Sequence, residues 1–148
     1  MTLPYTCSLT TLEDTAQLAV AISTLLKPGS VLLLSGDLGA GKTTFVQALA
    51  RVFGITRTVT SPTFTLANEY PMPMGGKLVH YDLYRLAMPY GLYDLGFEDA
   101  LENGARLVME WPEKAAEVLD LEVPTRLHLK LTLNDEGIRH AELSEEQV

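Results

Sequence analysis

A lysine and two threonines close a glycine-spaced turn, Gly36-Asp37-Leu38-Gly39-Ala40-Gly41-Lys42-Thr43-Thr44, and these side chains are suited to phosphate chemistry. The apolar run Val31-Leu32-Leu33-Leu34 delivers the chain to the turn, and Thr44-Phe45-Val46-Gln47-Ala48-Leu49 leaves it with helical character. Gly36, Gly39 and Gly41 permit positive φ and close backbone approach, so successive N–H groups can face phosphate oxygens at a helix N-terminus. In such a P-loop Lys42 reaches the β- and γ-phosphates and the Thr43 hydroxyl ligates Mg²⁺. The motif and its strand–turn–helix setting together predict a nucleoside triphosphate site.

Hydrolysis needs more than a cradle: a carboxylate for Mg²⁺, a group that senses the γ-phosphate and something that orients water. Glu110 ends the apolar run Leu107-Val108-Met109, where a Walker B acid belongs, and Asp82, at the end of a less apolar run, competes for that role. Ser61-Pro62-Thr63-Phe64-Thr65 follows the P-loop helix at the position of a switch segment, so Thr63 reads either as a Mg²⁺ or γ-phosphate contact or as part of a structural turn. Strand alternation puts His80 and Asp82 on one face, without the third nitrogen or thiolate ligand that a transition metal site would ask for. Trp111 reads either as core or as an aromatic surface beside the site. Arg57 and Arg85 are possible arginine-finger donors, although no arginine is marked out for that role.

The elements needed to position these groups can be read around them. Thr10-Thr11-Leu12-Glu13 has capping-box spacing, and Leu18, Ala19, Ile22, Leu25 and Leu26 form a helical stripe that stops before Pro28-Gly29. Val31–Ser35 predicts a buried strand, and Gly54 marks the end of the P-loop helix. Thr58–Tyr70 is β-rich, Pro71 to Gly76 is a breaker run and Leu78–Asp82 is strand-like, so the pattern predicts a hairpin. A helix is expected over Asp94–Glu102, a strand over Arg106–Glu110, a helix opening at Pro112, and a hairpin of Arg126–Leu133 with Ile138–Leu143. The expected fold is α/β, with a mostly parallel central sheet, antiparallel additions and flanking helices.

Composition narrows the class. At 148 residues and 47% hydrophobic, the chain suffices for one domain with a real core. The single cysteine, Cys7, excludes an internal disulfide and reads as a small buried hydrophobe. No apolar stretch approaches the roughly 20 residues of a membrane span, and the start lacks a signal-peptide pattern, so a cytoplasmic location is expected. Acids and bases balance up to residue 74, so the net charge of −8 lies in the second half. That half disfavours phosphate backbones and suits either docking to a basic protein face or plain solvation. A guanine-reading Asn/Thr-Lys-x-Asp string is absent, which argues against GTP as substrate.

The strings Gly36-Asp37-Leu38-Gly39-Ala40-Gly41-Lys42-Thr43-Thr44, Ser61-Pro62-Thr63-Phe64-Thr65, His80-Tyr81-Asp82-Leu83-Tyr84-Arg85 and Glu110-Trp111-Pro112-Glu113 have the order and spacing of the bacterial TsaE (YjeE) family. The sequence resembles that family over almost its whole length. The resemblance implies one P-loop ATPase domain over residues 1–148, NTPase-like in fold, with ATP and Mg²⁺ as ligands. It implies a role in making threonylcarbamoyladenosine in tRNA, exerted on a TsaB–TsaD complex and without stable tRNA binding of its own. Carried over by motif, Gly36 to Thr44 match the nucleotide-binding loop, and Thr43 and Glu110 match the Mg²⁺ ligands. Asp82 matches an acid near the metal and water, Thr63 the switch threonine and Trp111 a functional aromatic. Base contacts fall near the first helix, at Thr10, Thr11 and Thr15. Two further classes stay open: a small-molecule kinase, with a lid in the Arg85–Gly104 segment, and a docking module with incidental hydrolysis.

Overall fold

The computed structural model describes residues 1–148 except Leu38 and Thr63. The expected roles of Leu38 in the phosphate loop and Thr63 in the switch segment therefore lie outside the described residues.

Among the described residues seven strands form one sheet in the order β1-β7-β6-β2-β5-β4-β3. They are β1 (Tyr5–Leu9), β2 (Val31–Gly36), β3 (Ala67–Pro71), β4 (Lys77–Asp82), β5 (Arg106–Glu110), β6 (Thr125–Leu133) and β7 (Arg139–Gln147). The central strands β6, β2, β5 and β4 are parallel, whereas β3, β7 and β1 each join through antiparallel pairing. The mostly parallel centre with antiparallel additions is thus present. All four central strands end at one edge, and that edge is where an open parallel sheet takes its ligands.

Alternation along β2 divides the core. Leu32 and Leu34 pack with Leu18, Ile22, Phe45 and Leu49 from helices α1 (Leu12–Leu25) and α2 (Lys42–Val52). Val31 and Leu33 pack on the opposite face with Phe97, Val118 and Leu119 from α3 (Phe97–Glu102) and α4 (Ala116–Glu122). A strand apolar on both faces is what a central parallel position requires. No helix among the described residues is long and apolar enough to cross a membrane.

Several boundaries differ from those the sequence predicts. The capping box of α1 is formed by Thr11 and Asp14 rather than by Thr10 and Glu13. The buried stripe Thr15, Leu18, Ala19 and Ile22 sets the helix register, and Asp14 Oδ2 then accepts from the backbone N–H of Thr10 and of Thr11, at 2.9 and 3.0 Å. The strand expected over Thr58–Tyr70 is confined to Ala67–Pro71. Pro62 has no N–H to donate to a ladder, and Leu66 adopts a left-handed φ of 63°, so the described residues between Thr58 and Leu66 form no strand. The helix expected over Asp94–Glu102 is split by Gly96, φ 72°, into a 3₁₀ segment Pro89–Leu95 and α3. A strand at Tyr5–Leu9, absent from the sequence reading, closes the far edge against β7. Gly54 does end the P-loop helix: its N–H donates to Arg51 O while Ile55 N–H donates to Ala50 O, a Schellman closure.

Candidate functional site

Parallel register gathers the polar groups at the sheet edge. Leu34 of β2 is paired with Glu110 of β5, and Glu110 with Asp82 of β4. Glu110 and Asp82 therefore end adjacent strands on the face covered by α2, level with Leu34 and two residues short of Gly36. The chain leaves β2 at Gly36, turns through Gly39 (φ 84°) and Gly41 (φ 99°), and enters α2 at Lys42. Gly36 serves a different need from the other two: a Cβ there would lie 2.6 Å from Leu131 O of the paired strand. Ala40 is buried, while Thr43 and Thr44 are exposed in the first turn of α2. Phe45, with no exposure, anchors that turn to the core.

Lys42 sits at the centre. Its side chain is largely buried, and Nζ donates to Gly36 O at 2.6 Å, lies 4.0 Å from Glu110 Oε1 and stands 4.3 Å above the Trp111 ring. Trp111 is partly buried and also packs on Tyr84, centroids 4.9 Å apart. It combines the two readings open from the sequence, since its ring touches the core of the α3/α4 face and also roofs the lysine. Its backbone is left-handed, φ 57° and ψ 51°, a conformation that a bulky residue adopts only at a cost.

The two acids have different surroundings. Glu110 is 3% exposed, and its Oε2 accepts from His80 Nε2 at 2.5 Å. Asp82 is half-buried: Oδ2 accepts from Ser61 Oγ at 3.2 Å and Oδ1 from the backbone N–H of Tyr84 at 3.1 Å. Asp82 N–H in turn donates to Leu66 O, so this residue ties both Ser61 and Leu66 to the tip of β4.

Among the described residues no three His, Cys, Asp or Glu side chains cluster to hold a metal by themselves. The donor set fits Mg²⁺ instead, which takes one or two carboxylates and completes its shell with hydroxyl, phosphate and water oxygens. Glu110 and the Thr43 hydroxyl are the groups that would hold it.

Beside the loop, a cleft of about 160 Å³ is lined by Thr10, Thr11, Thr15, Gly41, Thr44 and Arg139. It brings the three threonines expected to lie near the base up against the P-loop helix. Thr11 also spends its hydroxyl on the α1 cap, accepting from Asp14 N–H at 3.1 Å. Arg139 of β7 donates from Nε to Gly39 O at 3.3 Å. Nothing local in the sequence marks this residue, 100 positions downstream, as a neighbour of the loop. Of the two arginines weighed from sequence, Arg57 stacks on Tyr70 at 5.6 Å and Arg85 on Phe64 at 5.3 Å. His80 was visible only as a weak metal ligand, and its pairing with Glu110 depends on a strand alignment the sequence does not disclose. Cys7 is partly buried against the core, and burial, followed by the nearby Asp14 charge, pushes its thiol up, away from reactivity.

The family model described as "Threonylcarbamoyl adenosine biosynthesis protein TsaE" matches residues 9–141. The TsaE protein of Rickettsia felis is 41% identical over 128 residues, which cover 86% of this chain and 72% of the relative. That of Aquifex aeolicus is 41% identical over 129 residues, 86% of each chain. The crystal structure of Bacillus subtilus YdiB superposes with a TM-score of 0.78 at 30% identity, covering all of this chain and 88% of that one. The chain belongs to the TsaE family of tRNA threonylcarbamoyladenosine biosynthesis proteins.

Proposed function

We propose that this chain binds ATP with Mg²⁺ and hydrolyses it as the energy-using component of threonylcarbamoyladenosine synthesis, acting on a TsaB–TsaD complex. The observation that carries the reading is the setting of Lys42, a buried cation at a helix N-terminus with a carboxylate, a carbonyl and an aromatic face around it. A buried lysine needs compensating partners, and in this structure Gly36 O supplies the nearest. An incoming phosphate offers a stronger, fully charged acceptor in the same reach.

In the proposed reaction a water oxygen bonds to the γ-phosphorus as the bond to the β–γ bridging oxygen breaks, giving ADP and inorganic phosphate. Lys42 and the loop N–H groups take up charge on the transferring group, and Trp111 limits the water that could screen Lys42. Asp82 orients the attacking water and the segment beginning at Ser61. Glu110 and Thr43 would hold Mg²⁺, which would supply neutralisation of phosphate charge. Slow turnover by the isolated chain is expected, since a finger supplied in trans is worth roughly 10³–10⁵ in rate.

The deciding experiment is phosphate release by the purified chain, alone and with TsaB–TsaD, with Lys42→Ala as control. Stimulation by partners that vanishes in the control supports the proposal; equal turnover with and without them refutes it. Tyr84, 57% exposed, packs on Trp111, and with Phe64, 86% exposed, it favours one second reading, nucleotide-controlled docking with incidental hydrolysis. Partner affinity that follows nucleotide state without any change in turnover would select that reading.

A further inference from the structure

The Glu110 carboxylate has two oxygens with separate tasks. Oε1 faces Lys42 Nζ at 4.0 Å, whereas Oε2 accepts from His80 Nε2 at 2.5 Å. His80 has no solvent exposure, and its other nitrogen, Nδ1, has no hydrogen-bond partner among the described residues. An imidazole with one nitrogen orphaned is a poor core filler. Its flanking neighbours on the same strand face and across the ladder, Leu78 and Val108, fill similar space without polar atoms.

His80 pairs in register with Val108, and Asp82 with Glu110. His80 and Glu110 are therefore diagonal neighbours on one sheet face, with the histidine on the N-terminal side of the acid. Because a carboxylate can only accept, Nε2 carries the proton. The bond draws Oε2 back toward the sheet and leaves Oε1 at the edge where the P-loop begins. We infer that His80 is a positioning residue that fixes the rotamer of Glu110 so that one oxygen is presented to Mg²⁺ beside Lys42. The inference rests on the ATP–Mg²⁺ reading above, and it assigns His80 a task at one atom without contact to substrate.

Two substitutions separate this role from packing. In His80→Gln the side-chain N–H reaches about as far as Nε2 and can still meet Oε2; in His80→Asn it falls near the position of Nδ1 and cannot. A fluorescent N-methylanthraniloyl ATP is titrated into wild type and both variants, once in Mg²⁺ and once in EDTA, after thermal melts establish that each is folded. In EDTA all three should bind alike. In Mg²⁺, His80→Asn should lose about 10-fold or more in affinity and His80→Gln much less, in keeping with the roughly 10–100-fold effect of outer-shell partners on metal affinity. Equal losses in the two variants, losses that persist in EDTA, an unchanged response to Mg²⁺, or failure of either variant to fold would each overturn the positioning role. Wild type that binds no nucleotide would overturn the ATP reading instead, and the wild-type titration reports that by itself.

Discussion

Replacing Gly36 by alanine tests whether the junction of β2 and the P-loop is set by steric contact across the sheet. The new Cβ would stand 2.6 Å from Leu131 O and 3.3 Å from Ala40 Cβ, where ordinary contact begins at 3.4 Å. The oxygen belongs to the backbone of β6, in register with Gly36, so no side chain can swing aside. The strand end must shift by several tenths of an ångström, and Gly36 O, the 2.6 Å acceptor of Lys42 Nζ, shifts with it. Overpacking of this kind costs about 1–3 kcal/mol, offset by about 0.4–1 kcal/mol from the stiffer unfolded chain. The net cost is up to about 2.6 kcal/mol, and at roughly 2–4 °C per kcal/mol for a chain of this size the melting temperature should fall by about 4 °C, and by at most about 10 °C. Displacement of the lysine and loop amides should weaken ATP binding by about 10-fold or more, because sub-ångström errors in positioning act steeply. Gly75→Ala is the control: φ is 102°, nothing lies within 4 Å of its Cβ, and it sits in a distant turn, so it should lose stability and keep ATP affinity. Melting curves and an ATP titration on both variants decide the matter. Affinity within twofold of wild type for Gly36→Ala, or equal loss in Gly75→Ala, would refute the steric argument.

Glu110→Ala should weaken Mg²⁺-dependent ATP binding more than Asp82→Ala, since it strips the buried partner from both Lys42 and His80, whereas Asp82 is held among local donors; paired titrations with and without Mg²⁺ give the ranking. Trp111→Gly should be more stable than Trp111→Ala by about 1 kcal/mol, because both lose the ring while only glycine relieves the left-handed backbone, and urea unfolding measures the gap. Glu146 links β7 to β6: burial opposes ionisation of its carboxyl, but hydrogen bonds from His128 (2.7 Å) and Arg126 (3.1 Å) and their charges outweigh this and hold it below the usual carboxylate range. Its folded value lies below the unfolded one, so its stabilisation is present above the unfolded carboxylate range and is lost as pH falls through the folded value. Glu146→Gln should therefore show a flatter decline in urea midpoint across that acidic window than wild type.

The loop, its strand and its helix were legible because glycine spacing, an apolar run and an amphipathic run are all local signals. Glu110 and Asp82 were legible as strand-end acids for the same reason. What eluded the sequence was whatever depends on which strands lie side by side. His80 meets Glu110 only because β4 aligns with β5, and Arg139 reaches Gly39 only because β7 folds back over β6 and brings its first residue to the loop. The over-long strand at Thr58–Tyr70 is a different failure: β-propensity in Thr, Val and Phe reports a residue's fit to a half-buried pleated surface, and here Pro62 and the turn at Leu66 decide. The capping box slipped by one residue because Thr10 and Thr11 both qualify as caps, and the burial of Thr15 and Leu18 selects between them.

The place of β2 in the sheet also bears on how the protein comes into being. The strand that carries the P-loop has β5 on one side and β6 on the other, and both are encoded after it. At roughly 5–20 residues per second of synthesis, the interval between emergence of Lys42 and emergence of Leu131 is on the order of 5–20 s. Through that interval the glycine-rich turn is present on a nascent chain without the neighbour at Leu131, and for most of it without the acid at Glu110 as well. The surroundings of the motif are therefore a late product of translation, and a chain that ends before the last hairpin would carry the motif without the strand that packs against Gly36.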